Sequence, residues 1–147
     1  MNFEHLSGSQ FNDNLTGDAG DNNIFGQDGD DNINGGVGDD QLFGNGGSDT
    51  IAGGEGQDVF IFNATDDGND IINGFETAIG GAPDGYIGRI DLTSFGPRID
   101  ITDVLLAMSQ VGEDVVIDLD ALGGSGSITL LGVDINLMDS QEFIFDM

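Results

Sequence analysis

The chain has 147 residues, 37% of them hydrophobic, and 28 acidic side chains against two basic ones, Arg89 and Arg98, for a formal net charge of −26. The length suits one domain or one elongated unit, and the charge argues against nucleic acid or an anionic membrane as partner, since both repel it. What remains is a self-repelling disordered chain or a set of carboxylates neutralised by bound cations, and the placement of the 26 glycines and of the acids decides between them.

There is no Cys, so neither a disulfide nor a thiolate metal site is available. No apolar run reaches the roughly 18 residues of a membrane span. The start, Met1-Asn2-Phe3-Glu4-His5, lacks the basic region and apolar stretch of a cleavable signal peptide. The expectation is a cytoplasmic chain, or one exported by a route that needs no N-terminal signal.

From the N-terminus onward a period of nine dominates. Large apolar residues stand at Leu6, Leu15, Ile24, Ile33, Leu42, Ile51 and Phe60. Seven places before each, from Leu15 on, stands Gly8, Gly17, Gly26, Gly35, Gly44 or Gly53. Four places before stands Gly20, Gly29, Gly38, Gly47 or Gly56, with Phe11 the exception. Two places before stands Asp13, Asp31, Asp40, Asp49 or Asp58, with Asn22 the exception. Residues 8–61 are therefore six copies of Gly-x-x-Gly-x-Asp-x-(apolar)-x. A flexible linker would not hold such a register.

Gly at two fixed places lets the backbone turn sharply through positive φ. Six turn residues leave three for a short strand, whose central apolar residue points in while its neighbours point out. One copy cannot bury a single Leu, but stacked copies bury a continuous ladder. The predicted fold is all-β: a parallel β-roll in which each repeat is half a coil, with two three-stranded parallel sheets and turns along both edges. Strands lie about 4.8 Å apart, so Asp side chains of successive turns on one edge reach a shared cation. Ca²⁺ takes about 6–8 oxygens from carboxylates and carbonyls, and Gly-rich turns with Asp supply both. The repeat holds no His or Cys, which excludes Zn²⁺ and softer metals.

The repeat resembles the repeats-in-toxin (RTX) family, whose nonapeptide is Gly-Gly-x-Gly-x-Asp-x-U-x, with U a large apolar residue. The best matches are Gly35–Phe43 and Gly53–Ile61. The resemblance implies Ca²⁺ ions between turns stacked two repeats apart, held by carbonyls of the first four turn residues and by the Asp. One edge would stack Gly8–Asp13, Gly26–Asp31 and Gly44–Asp49; the other would stack Gly17–Asn22, Gly35–Asp40 and Gly53–Asp58. About four ions follow. The implied ligands are Gly8 and Asp13; Gly17, Ala19, Gly20 and Asn22; Gly26, Gln27, Asp28, Gly29 and Asp31; Gly35, Gly36, Val37, Gly38 and Asp40; Gly44, Asn45, Gly46, Gly47 and Asp49; and Gly53, Gly54, Glu55, Gly56 and Asp58. Phe11 and Ser9 in the first turn and Asn22 in the second depart from the pattern, so the two N-terminal sites are expected to be the weaker.

The chain then divides, on this reading, into residues 1–61 as the roll and residues 62–147 as a β-rich cap. Asn69–Phe75 followed by Arg89–Leu92, then Gly112–Leu119, Ile128–Val133 and Glu142–Phe145, resemble the segment that ends serralysin-like proteases and other type I secreted proteins. Here the connection Glu76–Gly88 is longer, and Gly74 stands where an acid is common. Asp66, Asp67 and Asp70 follow the last repeat, and Asp70 falls on the family pattern as a ligand closing one edge. Read from its own residues, the cap has alternation at Val115, Ile117 and Leu119 and at Ile128 and Leu130. The turn Ala121–Gly126 joins the two runs as a hairpin. Ile101, Val104, Leu105 and Met108 mark one face of a short helix, with Asp100 as its N-cap and Gly112 just past its end. Covering the open end of the roll would remove an aggregation-prone edge.

No catalytic constellation emerges, and no enzyme is expected. His5 is the only histidine, short of the pair a zinc protease needs. The repeat accounts for most acids in 8–61, and Asp134 and Asp139 read as solvated loop acids. The function expected is a Ca²⁺-binding module that the resemblance places outside the cell, exported by a bacterial type I system and folded there by calcium. The rival readings are a carbohydrate-binding accessory module like those of alginate epimerases, and an adhesin or surface-layer fragment. One outer flank is polar or small, at Thr16, Asn34 and Ala52. The other carries Phe25, Phe43 and Ile61 with Val59 beside them. That oily flank is covered by the cap, or else meets a preceding domain or a second copy of the chain.

Overall fold

A computed structural model describes residues 4–65, 68–76 and 88–145. The repeats form β1 (Glu4–Ser7), β2 (Asn14–Thr16), β3 (Asn22–Asp28), β4 (Asn32–Val37), β5 (Gln41–Gly46), β6 (Thr50–Glu55) and β7 (Val59–Ile61). Beyond them lie β8 (Asn69–Asn73), β9 (Arg89–Asp91), helix α1 (Ile101–Ala107), β10 (Met108–Val111), β11 (Asp114–Asp118), β12 (Ser127–Leu130) and β13 (Phe143–Ile144).

Odd and even repeats separate into two sheets, as a half-coil repeat demands. One runs β1-β3-β5-β7-β9-β13 and the other β2-β4-β6-β8-β12-β11-β10. All pairings are parallel except β12–β11 and β11–β10. The apolar residue of each repeat faces the same residue of the next coil. Leu6, Ile24, Leu42, Phe60, Ile90 and Phe143 make one ladder. Leu15, Ile33, Ile51, Ile72 and Leu130 make the other. From Ile24 onward these side chains are buried, and each contributes about 1.5–3 kcal/mol of hydrophobic stabilisation. Leu6 and Leu15 are only partly buried, because among the described residues no coil lies beneath the first one.

Both sheets are longer than the three strands expected. An unfinished parallel edge leaves backbone donors and acceptors open, and the second half of the chain pairs with them. On one side β8 joins β6 through the register Thr50↔Ile71, and on the other β9 joins β7 through Val59↔Arg89. The expected hairpin is present as β11–β12, with Val115 opposite Leu130 and Ile117 opposite Ile128.

The helix departs from expectation on two points. Asp100 caps it as predicted, accepting from the backbone N–H groups of Thr102 and Asp103 while Asp103 returns the bond. It ends at Ala107, however, because Met108 already pairs with Ile117 in β10. Gly112, at φ 68°, therefore belongs to the tight turn between β10 and β11. The helix buries Val104 and Ala107, Met108 is buried at the start of β10, and Leu105 is exposed.

The oily flank has the predicted alignment, Phe25↔Phe43↔Ile61. The Phe25 and Phe43 rings stack with centroids 4.3 Å apart, and His5 adds a tilted contact to Phe25 at 5.0 Å. All three flank residues are half-buried. The strands after residue 61 extend the sheets at their ends, where β8, β9, β12 and β13 pair.

Candidate calcium-binding turns

The strands β3, β4, β5 and β6 end in turns whose second and fourth residues take positive φ. Gln27, Gly36, Asn45 and Gly54 do so at the second place, and Gly29, Gly38, Gly47 and Gly56 at the fourth. Gln27 and Asn45 sit at 84° and 66°, where a side chain is uncommon. Turns of alternate repeats stack directly. Gly8 N donates to Phe25 O at 2.8 Å and Gly29 N to Gly46 O at 2.9 Å on one edge. Gly17 N donates to Asn34 O at 2.9 Å and Gly38 N to Glu55 O at 2.8 Å on the other. The two edges thus contain the turns that the resemblance implies.

The aspartates form a second ladder. Oδ1 of each accepts the backbone N–H of the corresponding residue one coil earlier. Asp31 accepts from Asp13 at 2.8 Å, Asp40 from Asn22 at 2.8 Å, Asp49 from Asp31 at 2.8 Å and Asp58 from Asp40 at 3.1 Å. This consumes one oxygen per carboxylate. The other, Oδ2, is buried in Asp31 and Asp40 and has no hydrogen-bond partner. A buried polar atom in that state costs about 1–3 kcal/mol, unless something not held by the chain satisfies it.

The position of that oxygen identifies what fits. A Cβ placed on Gly26 would strike Asp31 Oδ2 and lie 2.6 Å from Gly44 O. A Cβ on Gly35 would strike Asp40 Oδ2 and lie 2.5 Å from Gly53 O. Gly26 and Gly35 therefore each keep open a slot between a carboxylate oxygen and a carbonyl of the stacked turn. Among the described residues no three His, Cys, Asp or Glu side chains gather at one point, so carbonyls must supply most of the donors. An all-oxygen set with few charges suits a hard cation, and its size and irregular geometry suit Ca²⁺.

Burial drives the electrostatics. Asp31 and Asp40 are pushed above the ordinary carboxylate range, chiefly by desolvation and then by neighbouring acids. Asp58 is pushed up to about 6 for the same reasons, with Asp40 and Asp39 the neighbours. A cation in the slot would reverse that penalty.

The two degenerate turns differ locally. In the first, Ser9 donates to Asp13 Oδ2 from its backbone at 2.6 Å and from its hydroxyl at 2.8 Å. The oxygen that Asp31 and Asp40 leave open is there already satisfied. In the second, the Asn22 amide donates to Asp40 Oδ1 at 3.0 Å and to Gly20 O. Phe11 is exposed.

Asp70 takes the place of a seventh repeat aspartate. It is buried, and its Oδ1 accepts from Asp49 N at 2.8 Å. The spacing is 21 residues instead of 18. Asp66 and Asp67 lie outside the described residues.

A further ladder escaped the sequence reading. The residue before each aspartate links coils along the outer rim. Asn12 accepts from Asp30 N at 3.1 Å and Asp30 from Ser48 N at 3.0 Å, while Asp21 accepts from Asp39 N at 3.1 Å and Asp39 from Gln57 N at 2.8 Å. The signal was present: Asn12, Asp21, Asp30, Asp39, Ser48 and Gln57 fall in the same period of nine.

Comparison with known proteins agrees with this geometry. Residues 7–42, 25–60, 35–67 and 43–74 match the RTX calcium-binding nonapeptide repeat in four copies. A search of curated protein sequences gave no match. The fold is similar to the solution structure of the AlgE6R3 subunit of the Azotobacter vinelandii mannuronan C5-epimerase, with TM-score 0.68, 26% identity, 93% of this chain covered and 80% of that one. It is also similar to the crystal structure of the extracellular lipase LipA from Serratia marcescens, with TM-score 0.68, 21% identity and 95% of this chain covered. The chain spans 20% of that lipase's length. Residues 7–74 are thus RTX calcium-binding nonapeptide repeats, wound as a parallel β-roll.

Proposed function

We propose that the chain is a non-catalytic module that folds when Ca²⁺ binds, after type I export, and serves as the C-terminal folding and secretion module of an extracellular protein. Residues 1–61 are the metal-responsive roll. Residues 62–147 are the cap, akin to the segment that ends serralysin-like proteins. The observation that carries this reading is the buried, unpartnered Oδ2 of Asp31 and of Asp40, each facing a carbonyl of the stacked turn. Four ions lie between Gly8–Asp13 and Gly26–Asp31, Gly26–Asp31 and Gly44–Asp49, Gly17–Asn22 and Gly35–Asp40, and Gly35–Asp40 and Gly53–Asp58. Asp70 closes the first of these edges beyond Asp49.

Four divalent ions change the formal charge from −26 to −18 (−26 + 8). The turns are held together by the same ions that cancel their repulsion, so binding energy becomes folding energy. Inside a cell Ca²⁺ is too scarce to fill weak sites, and the chain stays unfolded for export. Circular dichroism in EDTA is expected to report a largely disordered repeat region, and millimolar Ca²⁺ to restore β signal. Mg²⁺ substitutes poorly, because it demands near-octahedral geometry and dehydrates reluctantly. A repeat region that folds fully without Ca²⁺ would end the proposal.

The likeness to AlgE6R3 favours a second reading, an accessory module that binds a polysaccharide. Mannuronan is a polyanion, and Arg89 and Arg98 are the only basic side chains here. Neutral glycans therefore fit better, and a glycan array with and without Ca²⁺ separates the two readings.

A further inference from the structure

The slot between the turns Gly17–Asn22 and Gly35–Asp40 is filled differently from those faced by Asp31 and Asp40. A Cβ on Gly17 would strike Gly35 O and lie 2.9 Å from Asn22 Nδ2. The amide nitrogen thus holds the place that Oδ2 holds in Asp31 and Asp40, facing a carbonyl of the stacked turn. It donates to Gly20 O and, at 3.0 Å, to Asp40 Oδ1. Asn22 is fully buried, and among the described residues its Oδ1 has no hydrogen-bond partner.

The two ends of a carboxamide have nearly the same shape, so its neighbours choose the orientation. With no ion in the slot, turning the amide over would bring Asn22 Oδ1, Gly20 O and Asp40 Oδ1 together with no proton among them. A divalent cation reverses that preference. The amide N–H groups would point at its charge, whereas the three oxygens form the carbonyl-and-carboxylate set that a hard cation takes. The half-turn also gives the orphaned Oδ1 a partner.

We propose that Asn22 is an exchangeable ligand: its amide nitrogen stands in for the cation in this slot, and the amide turns over to present Oδ1 when Ca²⁺ enters. The inference rests on the reading of the repeats as calcium sites and adds to it an order of filling. The slots faced by Oδ2 of Asp31 and of Asp40 offer an open oxygen and load first. Here two hydrogen bonds are given up on loading, which weakens the site about tenfold to a hundredfold. Until then the nitrogen joins the second turn to the turn stacked on it, and this edge holds at Ca²⁺ levels too low to fill its slot.

Calorimetric titration of the full chain is expected to show an ion that binds at least about tenfold more weakly than the tightest ones. In Asn22→Asp, which puts an open carboxylate in the slot, that ion is expected to tighten by the same factor. Crystals of the parent grown at saturating Ca²⁺ are expected to hold an ion about 2.3–2.6 Å from the Asn22 side chain, a distance that identifies the facing atom as oxygen. An affinity unchanged in Asn22→Asp overturns the exchange. So does a crystal in which this slot holds no ion, or an ion that Asn22 does not touch, while the slots of Asp31 and Asp40 are filled; the other repeat sites then stand. A parent chain that takes up no Ca²⁺ overturns both readings.

Discussion

Replacing Asp40 by alanine is expected to be the most damaging single change in the roll. Asp40 is fully buried. Its Oδ1 accepts from Asn22 N at 2.8 Å and from the Asn22 amide at 3.0 Å, and its Oδ2 faces Gly53 O across the proposed ion. Alanine strands both donors of Asn22 in a buried place, at about 1–3 kcal/mol each, so about 2–6 kcal/mol is lost before any ion is counted. Two proposed ions also lose a ligand, one on each side. In Asp13→Ala, Ser9 is the residue that loses its partner, and Ser9 is exposed, so water replaces the carboxylate. That loss is about 0.5–1.5 kcal/mol. Urea denaturation at saturating Ca²⁺, with calorimetric titration of the ions, measures both. Asp40→Asn is the control, because it keeps an acceptor for Asn22 and removes only the charge. If Asp13→Ala costs as much as Asp40→Ala, the stacking scheme and the ladder argument are wrong.

Acidity should act on the calcium-free roll in the unusual direction. Asp31, Asp40 and Asp58 are raised on folding, so the folded state holds protons more tightly than the unfolded chain. Its stability is greatest below the ordinary value of 3.8 and is lost as pH rises toward about 6. In EDTA, β signal is therefore expected to grow between pH 7.5 and pH 4, and a loss on acidification refutes the assignment. Gly35→Ala puts a methyl group into the slot between Asp40 Oδ2 and Gly53 O, and should remove one ion from the titration. Gly46→Ala, whose methyl group meets only Asp28 Oδ1 at 3.5 Å, should change stability by no more than about 0.5 kcal/mol. Phe25→Ser with Phe43→Ser removes the stacked ring pair, about 1 kcal/mol beyond its buried area. Ca²⁺-induced folding should survive with a lower urea midpoint, and any self-association seen by sedimentation should vanish. A double mutant as stable as its parent shows the flank to be idle.

The period of nine was enough to determine the roll. Once Leu6 through Phe60 repeat in register, a stack of half-coils buries them all, and the direction of each side chain follows from the pleat. The aspartates were legible for the same reason, since a site built by repetition repeats in sequence. Asp70 was nearly legible: it keeps its role in the ladder although three extra residues shift it out of register, and only the pairing of β8 with β6 makes the shift visible. What the tertiary structure alone decided lies where the repetition stops. The strands of residues 69–73, 89–91, 127–130 and 143–144 carry no period, so their places as further rungs of the two sheets depend on which open backbone edge they meet. Leu105 turned outward because β10 begins at Met108 and anchors the helix end on β11. Ser9 closing the oxygen of Asp13 is a contact between residues whose spacing announces nothing. A periodic pattern constrains geometry through every copy at once, whereas a single contact is fixed only by the packing that surrounds it.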